Sequence, residues 1–159
     1  MKYQIEEIGI AIDIPEDFKR LTSEDVKNMT GKSDKDEWVV KSDERHAIFD
    51  IVWKKIPFLS KNVAVSKTAR ATERRMKKRI NGFAKINDTT RTVAGNDAAG
   101  FVYSYTAGNI DMKSEYLLIK YHGNFVAFSI LSRAEGFDDN YKIFDDMIKN
   151  IEFVGRAKR

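Results

Sequence analysis

With 159 residues, 42% of them hydrophobic and 33% charged, the chain has the length and composition of one globular domain able to bury a sizeable core. It contains no cysteine, which excludes disulfide frameworks, thiolate nucleophiles and cysteine zinc sites. The net charge of +4 is unevenly placed: residues 61–82 hold eight Lys and Arg against one acid, residues 1–60 hold ten against thirteen, and residues 83–159 hold ten of each.

The opening MKYQIEEIGI lacks the basic start and unbroken apolar run of a signal peptide, so the expected setting is cytoplasmic. Residues Ile8 to Ile14 alternate, with Ile8, Ile10, Ile12 and Ile14 on one side, and predict a half-buried strand ended by Pro15. LTSEDVKNMTG then predicts a short helix with Thr22 or Ser23 as cap and Gly31 as stop, followed by a loop over Lys32 to Glu37. Trp38 to Lys41 and Ala47 to Trp53 read as strands joined by a polar turn around Ser42 to Arg45, and Ala47, Phe49, Ile51 and Trp53 share a face. The apolar loop KKIPFL, Lys54 to Leu59, is expected to cover a sheet edge or a helix end.

Val63 to Gly82 carries the clearest helical signal. At 100° per residue Val65, Ala69, Thr72, Met76, Ile80 and Phe83 fall within a sector of about 100°, the width of a core-facing stripe. Asn62 or Ser60 is the expected cap, and Asn81-Gly82 supplies residues that tolerate the left-handed conformation at the end. The remaining faces carry Lys67, Arg70, Arg74, Arg75, Lys77, Lys78 and Arg79 against Glu73 alone. Like charges four apart oppose the helix by about 0.2–0.5 kcal/mol a pair. Cations in the last turn return about 0.3–1 kcal/mol each through the helix dipole. The helix therefore needs no bound anion to form.

Four strands follow, about Ala84 to Val93, Ala98 to Thr106, Met112 to Tyr121 and Phe125 to Ser132. Gly95-Asn96, Gly108-Asn109 and Gly123-Asn124 lie between them, dipeptides that suit type II′ hairpins and make the pairing antiparallel. Asp138 to Asn150 is a closing amphipathic helix with Tyr141, Phe144, Met147 and Ile148 inward. Phe153 and Val154 form a short strand, and a basic tail, residues 156–159, follows a domain spanning residues 1–155. The fold class is α+β, an antiparallel sheet of about six or seven strands flanked by helices.

Catalytic signatures are missing. His46 and His122 stand in no ligand spacing, and the doublets Asp138-Asp139 and Asp145-Asp146 point their members about 100° apart on a helix. No GxSxG elbow, P-loop or dinucleotide fingerprint occurs, so the expectation is a non-enzymatic protein with no cofactor. Phe101, Tyr103 and Tyr105 share a strand face that can stack bases, although alternation favours core. The binding candidates are Lys67, Arg70, Arg74, Lys77 and Lys78. Charge alone allows a protein, nucleic-acid or anionic-lipid partner.

The order of elements, together with the opening GIAIDIPEDF, resembles the PsbP-like superfamily, which includes the extrinsic photosystem II subunit, DcrB-like lipoproteins and a Ran-binding nuclear import factor. The resemblance implies an antiparallel sheet between helices and a protein that works by binding another protein. Phe18 stands where many of those relatives have tryptophan, and no lipobox cysteine is present. The leading expectation is a protein-binding adaptor, with nucleic-acid or anionic-surface binding through the basic helix second and a small-ligand carrier third.

Overall fold

The period-two runs of the second half pair in chain order and set the frame for everything else. The computed structural model describes residues 1–30 and 36–155. In order the elements are β1 (Lys2–Ile5), β2 (Ile10–Asp13), β3 (Lys19–Arg20), α1 (Ser23–Thr30), β4 (Glu37–Ser42), β5 (Ala47–Lys55), a 3-10 turn (Phe58–Ser60), α2 (Val65–Arg79), β6 (Ala84–Val93), β7 (Asn96–Ala107), β8 (Ile110–Tyr121), β9 (Asn124–Arg133), α3 (Phe137–Lys149) and β10 (Glu152–Phe153). Seven strands form one antiparallel sheet in the order β3-β4-β5-β9-β8-β7-β6, and β1-β2-β10 form a small second sheet.

Adjacent residues on β8 divide the layers. Glu115 faces α3, where Tyr141 lies, whereas Tyr116 faces α2, where it meets the Thr72 hydroxyl. Pleating makes this inevitable, since successive side chains leave opposite faces. On the α3 side Phe49, Ile51, Leu117, Ile119, Phe128 and Ile130 are fully buried and join Phe144, Met147 and Ile148 of α3 and the isoleucines of β2 in one core. Phe49 and Phe144 approach to 5.6 Å between ring centroids. The α+β class with helices on both faces of an antiparallel sheet is thus observed.

Several local expectations need correction. The strand over Ile8 to Ile14 shrinks to β2, because Ile8 and Gly9 lie in the turn from β1. β2 is also buried on both sides, Ala11 included, as the central strand of its sheet. Thr22 does cap α1, in a reciprocal pair: the Asp25 amide donates to Thr22 Oγ1 (3.1 Å) and the Thr22 amide to Asp25 Oδ2 (2.9 Å). Neither Asn62 nor Ser60 caps α2, whose N-cap is Ala64 with no side-chain bond. Gly82 takes the left-handed conformation after α2, at φ +72°.

The hairpins also differ from the expected type at two of three places. Val93 pairs with Asn96 and Tyr121 with Asn124, so the turn residues are Ala94-Gly95 and His122-Gly123, with both members of each pair at positive φ. That is the type I′ pattern; the asparagine has become the first residue of the next strand. Gly108-Asn109 alone keeps a positive φ at the first position only, as a II′ turn requires. The loop expected over 32–37 is described only at Asp36 and Glu37, the latter already in β4. The stop at Gly31 and the tail 156–159 lie outside the described residues.

Candidate interaction surface

α2 lies across β7 and β8 with its predicted stripe toward the sheet. Ala69 is fully buried, and Val65, Thr72, Met76, Ile80 and Phe83 are half-buried. The stripe is covered less completely than a core stripe because one helix spans only part of a seven-stranded face. Past its end, Phe83 stacks on Tyr103 at 5.0 Å and meets Phe101 edge-on at 6.2 Å. Phe101 and Tyr103 are therefore core under the chain itself, and no open platform for bases exists there.

The five predicted binding residues divide. Arg70 turns back to the protein: its Nη1 pairs with Glu73 Oε1 at 2.9 Å and with Asp88 Oδ1, and its Nη2 donates to the Gly100 carbonyl at 3.3 Å. Lys85 completes the cluster, reaching Glu73 at 3.3 Å and Asp88 at 3.1 Å. Asp88 sits below the usual carboxylate range, held there chiefly by its hydrogen bond from Lys85, against some desolvation, and by Arg70. Lys67, Arg74, Lys77 and Lys78 are exposed, as is Arg79. Helical spacing sets Lys67, Arg74 and Lys78 in one row within about 40°, with Lys77 beside it. Of the five, Arg70 is thus tied into the protein, and the other four are exposed and form no ion pair among the described residues.

Next to the start of α2 lies a feature that sequence reasoning placed wrongly. Phe58 is 87% exposed and Leu59 90%, so the apolar loop covers neither an edge nor a helix end. Its ends are fixed instead through bonds to their main chain. The Ile56 amide donates to the Gly123 carbonyl at 2.9 Å, and the Lys120 ammonium donates to the carbonyls of Ser60 (3.4 Å), Lys61 (3.0 Å) and Val63. The anchoring spends the hydrogen-bonding capacity of the turn on β8 and the β8–β9 hairpin, and the 3-10 turn holds both apolar side chains outward. Exposed Lys54, Lys55 and Lys61 bracket the pair, and no acid occurs between Asp50 and Glu73. The signal was an apolar couple among lysines with no periodicity tying it to a core.

Other chemistry is sparse. Both histidines are turn residues at φ +48°, and among the described residues no cluster of three His, Asp or Glu has a metal-holding arrangement. Asp138 and Asp139 sit in the first turn of α3, while Asp145 pairs with Arg91 at 2.8 Å and Lys149 at 2.7 Å, contacts that outweigh its burial and hold it low. Two carboxyls go the other way. Burial pushes Glu115 up to about 7, and burial with the nearby Glu37 pushes Asp50 up to about 7, against a hydrogen bond from Ser129. Glu115 was readable from its even spacing to Leu117 and Ile119. Asp50 was not, because its face reads as the solvent side of β5.

Among the described residues no helix is long and apolar enough to cross a membrane. No protein-family model matches the sequence, and a comparison with curated proteins finds no match. Solved structures do match over nearly the whole chain. Cyanobacterial PsbP from Synechocystis shares 13% identity with a TM-score of 0.72, covering 96% of this chain and 91% of that one. The Saccharomyces cerevisiae Ran-binding protein Mog1p shares 9% with a TM-score of 0.65, over 97% and 95%. PA94, a Pseudomonas aeruginosa protein of unknown function, shares 12% with a TM-score of 0.60, over 99% and 98%. The fold is PsbP-like.

Proposed function

We propose that this PsbP-like chain is a non-catalytic protein-binding module. Its contact surface joins Phe58 and Leu59 to the exposed cations Lys67, Arg74, Lys77 and Lys78 of α2. The observation that carries the reading is the pair of large apolar side chains held almost fully in solvent by a hydrogen-bonded turn. Burying one such side chain is worth about 1.5–3 kcal/mol, enough for two to anchor an interface. The surrounding lysines favour a partner that is acidic around an apolar hollow, since charge complementarity speeds encounter and fixes orientation. The shared fold with a Ran-binding protein supports protein binding by analogy of architecture.

A pull-down from native lysate tests this, run with the wild type, with a Phe58→Ser/Leu59→Ser variant and with Lys67, Arg74, Lys77 and Lys78 reversed to glutamate. The expected result is a protein captured by wild type, lost with the double serine variant and weakened by charge reversal. Capture that is indifferent to both sets of changes refutes the surface.

The row of Lys67, Arg74 and Lys78 favours a second reading, binding of a nucleic acid along α2. That reading predicts recovered nucleic acid rather than protein, independent of Phe58 and Leu59 and falling steeply with salt, about one ion released per phosphate contacted.

A further inference from the structure

α2 leaves open the part of its sheet face made by β5 and β9, and a cavity of about 310 Å³ lies between the helix and those strands, within the range of small-molecule sites. Its two ends differ. The strand register sets Asp50, Ser129 and Tyr116 in one transverse row, and Val52, Ala127 and Leu118 in the next, about 7 Å further along the strands. Arg75 of α2 faces the polar end, where Tyr116 lies in the field of both Arg75 and Asp50. Phe125 and Met76 close the apolar end, with Lys54 beside Phe125.

Charge is what singles out this cavity. Asp50 takes a hydrogen bond from Ser129 and Arg75 gives one to Thr72 Oγ1 at 3.1 Å, yet neither forms an ion pair among the described residues. A carboxyl and a guanidinium therefore face one space with no ion pair to either among the described residues: Asp50 is half-buried, where burial resists its charge, and Arg75 stands at the exposed rim. A plain amine would answer Asp50 and leave Arg75 and Lys54 facing a cation. A plain acid would do the reverse.

We propose that this cavity binds a small zwitterion with an apolar body, an α-amino acid with an aliphatic or aromatic side chain. Its ammonium sits on Asp50 and Ser129, its carboxylate on Arg75, and its side chain along Val52, Leu118 and Phe125. Lys54 lines this cavity and also flanks Phe58 and Leu59, but the anchoring residues of the two sites are different, so either stands if the other fails.

The test titrates the ¹⁵N-labelled wild type at pH 8, above the value of about 7 to which burial lifts Asp50, with L-phenylalanine, L-leucine, phenethylamine and 3-phenylpropanoate. Saturable shifts confined to amides near residues 50–52, 116–118 and 127–129 are expected from the amino acids, with the two half-molecules at least about tenfold weaker. Asp50→Asn and Arg75→Gln, each checked for an otherwise unchanged spectrum, are expected to weaken the amino acid by about tenfold or more. No saturable shift from either amino acid at about 10 mM overturns the proposal. So does equal binding of phenethylamine or of 3-phenylpropanoate, and so does undiminished binding by a folded Asp50→Asn. The wild-type series decides the matter even if a variant fails to fold.

Discussion

Lys120, on β8, places its ammonium 3.0 Å from the Lys61 carbonyl, in the segment between the exposed Phe58-Leu59 turn and α2. The same ammonium serves the Ser60 and Val63 carbonyls and lies 6.0 Å from the centre of the Phe125 ring. One side chain thus ties a surface turn to the sheet across some sixty residues of sequence. The turn carries the proposed anchor, so its rigidity bears on affinity as well as on fold.

Lys120→Met keeps the aliphatic stem and removes the three donated bonds. The expected result is a folded protein with faster amide exchange over residues 58–64, little changed exchange in β7 to β9, and weaker capture of the partner at unchanged Phe58 and Leu59. Ordering a loop on binding costs about 0.5–1.5 kcal/mol per immobilised side chain, which sets the scale of the lost affinity. Exchange over 58–64 equal to wild type would show that the lysine does not hold the turn.

Gly100 has no room for a side chain. A Cβ there would lie 1.7 Å from the Tyr116 carbonyl oxygen and 2.9 Å from Leu117 Cα, both main chain of the paired strand β8, so nothing flexible can yield. Gly100 also offers its carbonyl to Arg70, which links α2 to the sheet. Gly100→Ala is expected to destabilise by about 3 kcal/mol or more, by forcing β7 away from β8 and loosening α2 with it. Urea unfolding measures it, and a loss under about 1 kcal/mol would mean that the strands part more easily than this geometry allows.

The architecture was legible because its signals are local. The meander announces itself by period-two runs between glycine turns, α2 and α3 by their stripes, and the end of α2 by Gly82. What failed depended on distant partners. β1 has no pattern of its own and exists because its backbone pairs with β2. Arg70 reads like its neighbours, yet Asp88, eighteen residues on, draws it inward. Phe58 and Leu59 look like core material, and only the placement of Lys120 and Gly123 shows that their turn is tied down without them. The cavity at Asp50 depends on how far α2 reaches across the sheet, which no window of sequence records.

Ala94 is an exposed non-glycine residue at φ +47° in a two-residue turn with Gly95 at φ +84°. Asparagine tolerates this conformation better than alanine, and Asn-Gly is the preferred type I′ pair. Ala94→Asn is expected to stabilise by about 0.5–1 kcal/mol and to raise Tm accordingly, without touching either proposed binding site. A lowered Tm would argue that the strands leave this turn in another geometry.

Glu115 makes stability depend on pH in a direction opposite to that of most carboxylates. It is fully buried, the Tyr141 hydroxyl faces it, and neither carboxyl oxygen lies in hydrogen-bonding geometry with a partner. Burial lifts its pKa from 4.5 to about 7, against the pull of the Tyr141 hydroxyl and of Arg91. Because the folded protein then holds a proton that the unfolded chain releases, the contribution of Glu115 to stability is greatest below about pH 4.5, falls as pH rises toward 7, and is flat above. The loss amounts to about 3 kcal/mol for one group, and Asp50 adds to it in the same window. Asp17 and Asp145, both held low by their partners, lose their contribution only below about pH 4, so the window from 5 to 8 isolates the buried acids. Glu115→Gln places a neutral group of the same shape there. Urea unfolding at pH 5, 6, 7 and 8 is expected to show a variant close to wild type at pH 5, more stable by up to about 3 kcal/mol at pH 8, and flatter between. A deficit of the same size at every pH would mean that Glu115 acts through its shape and not its proton.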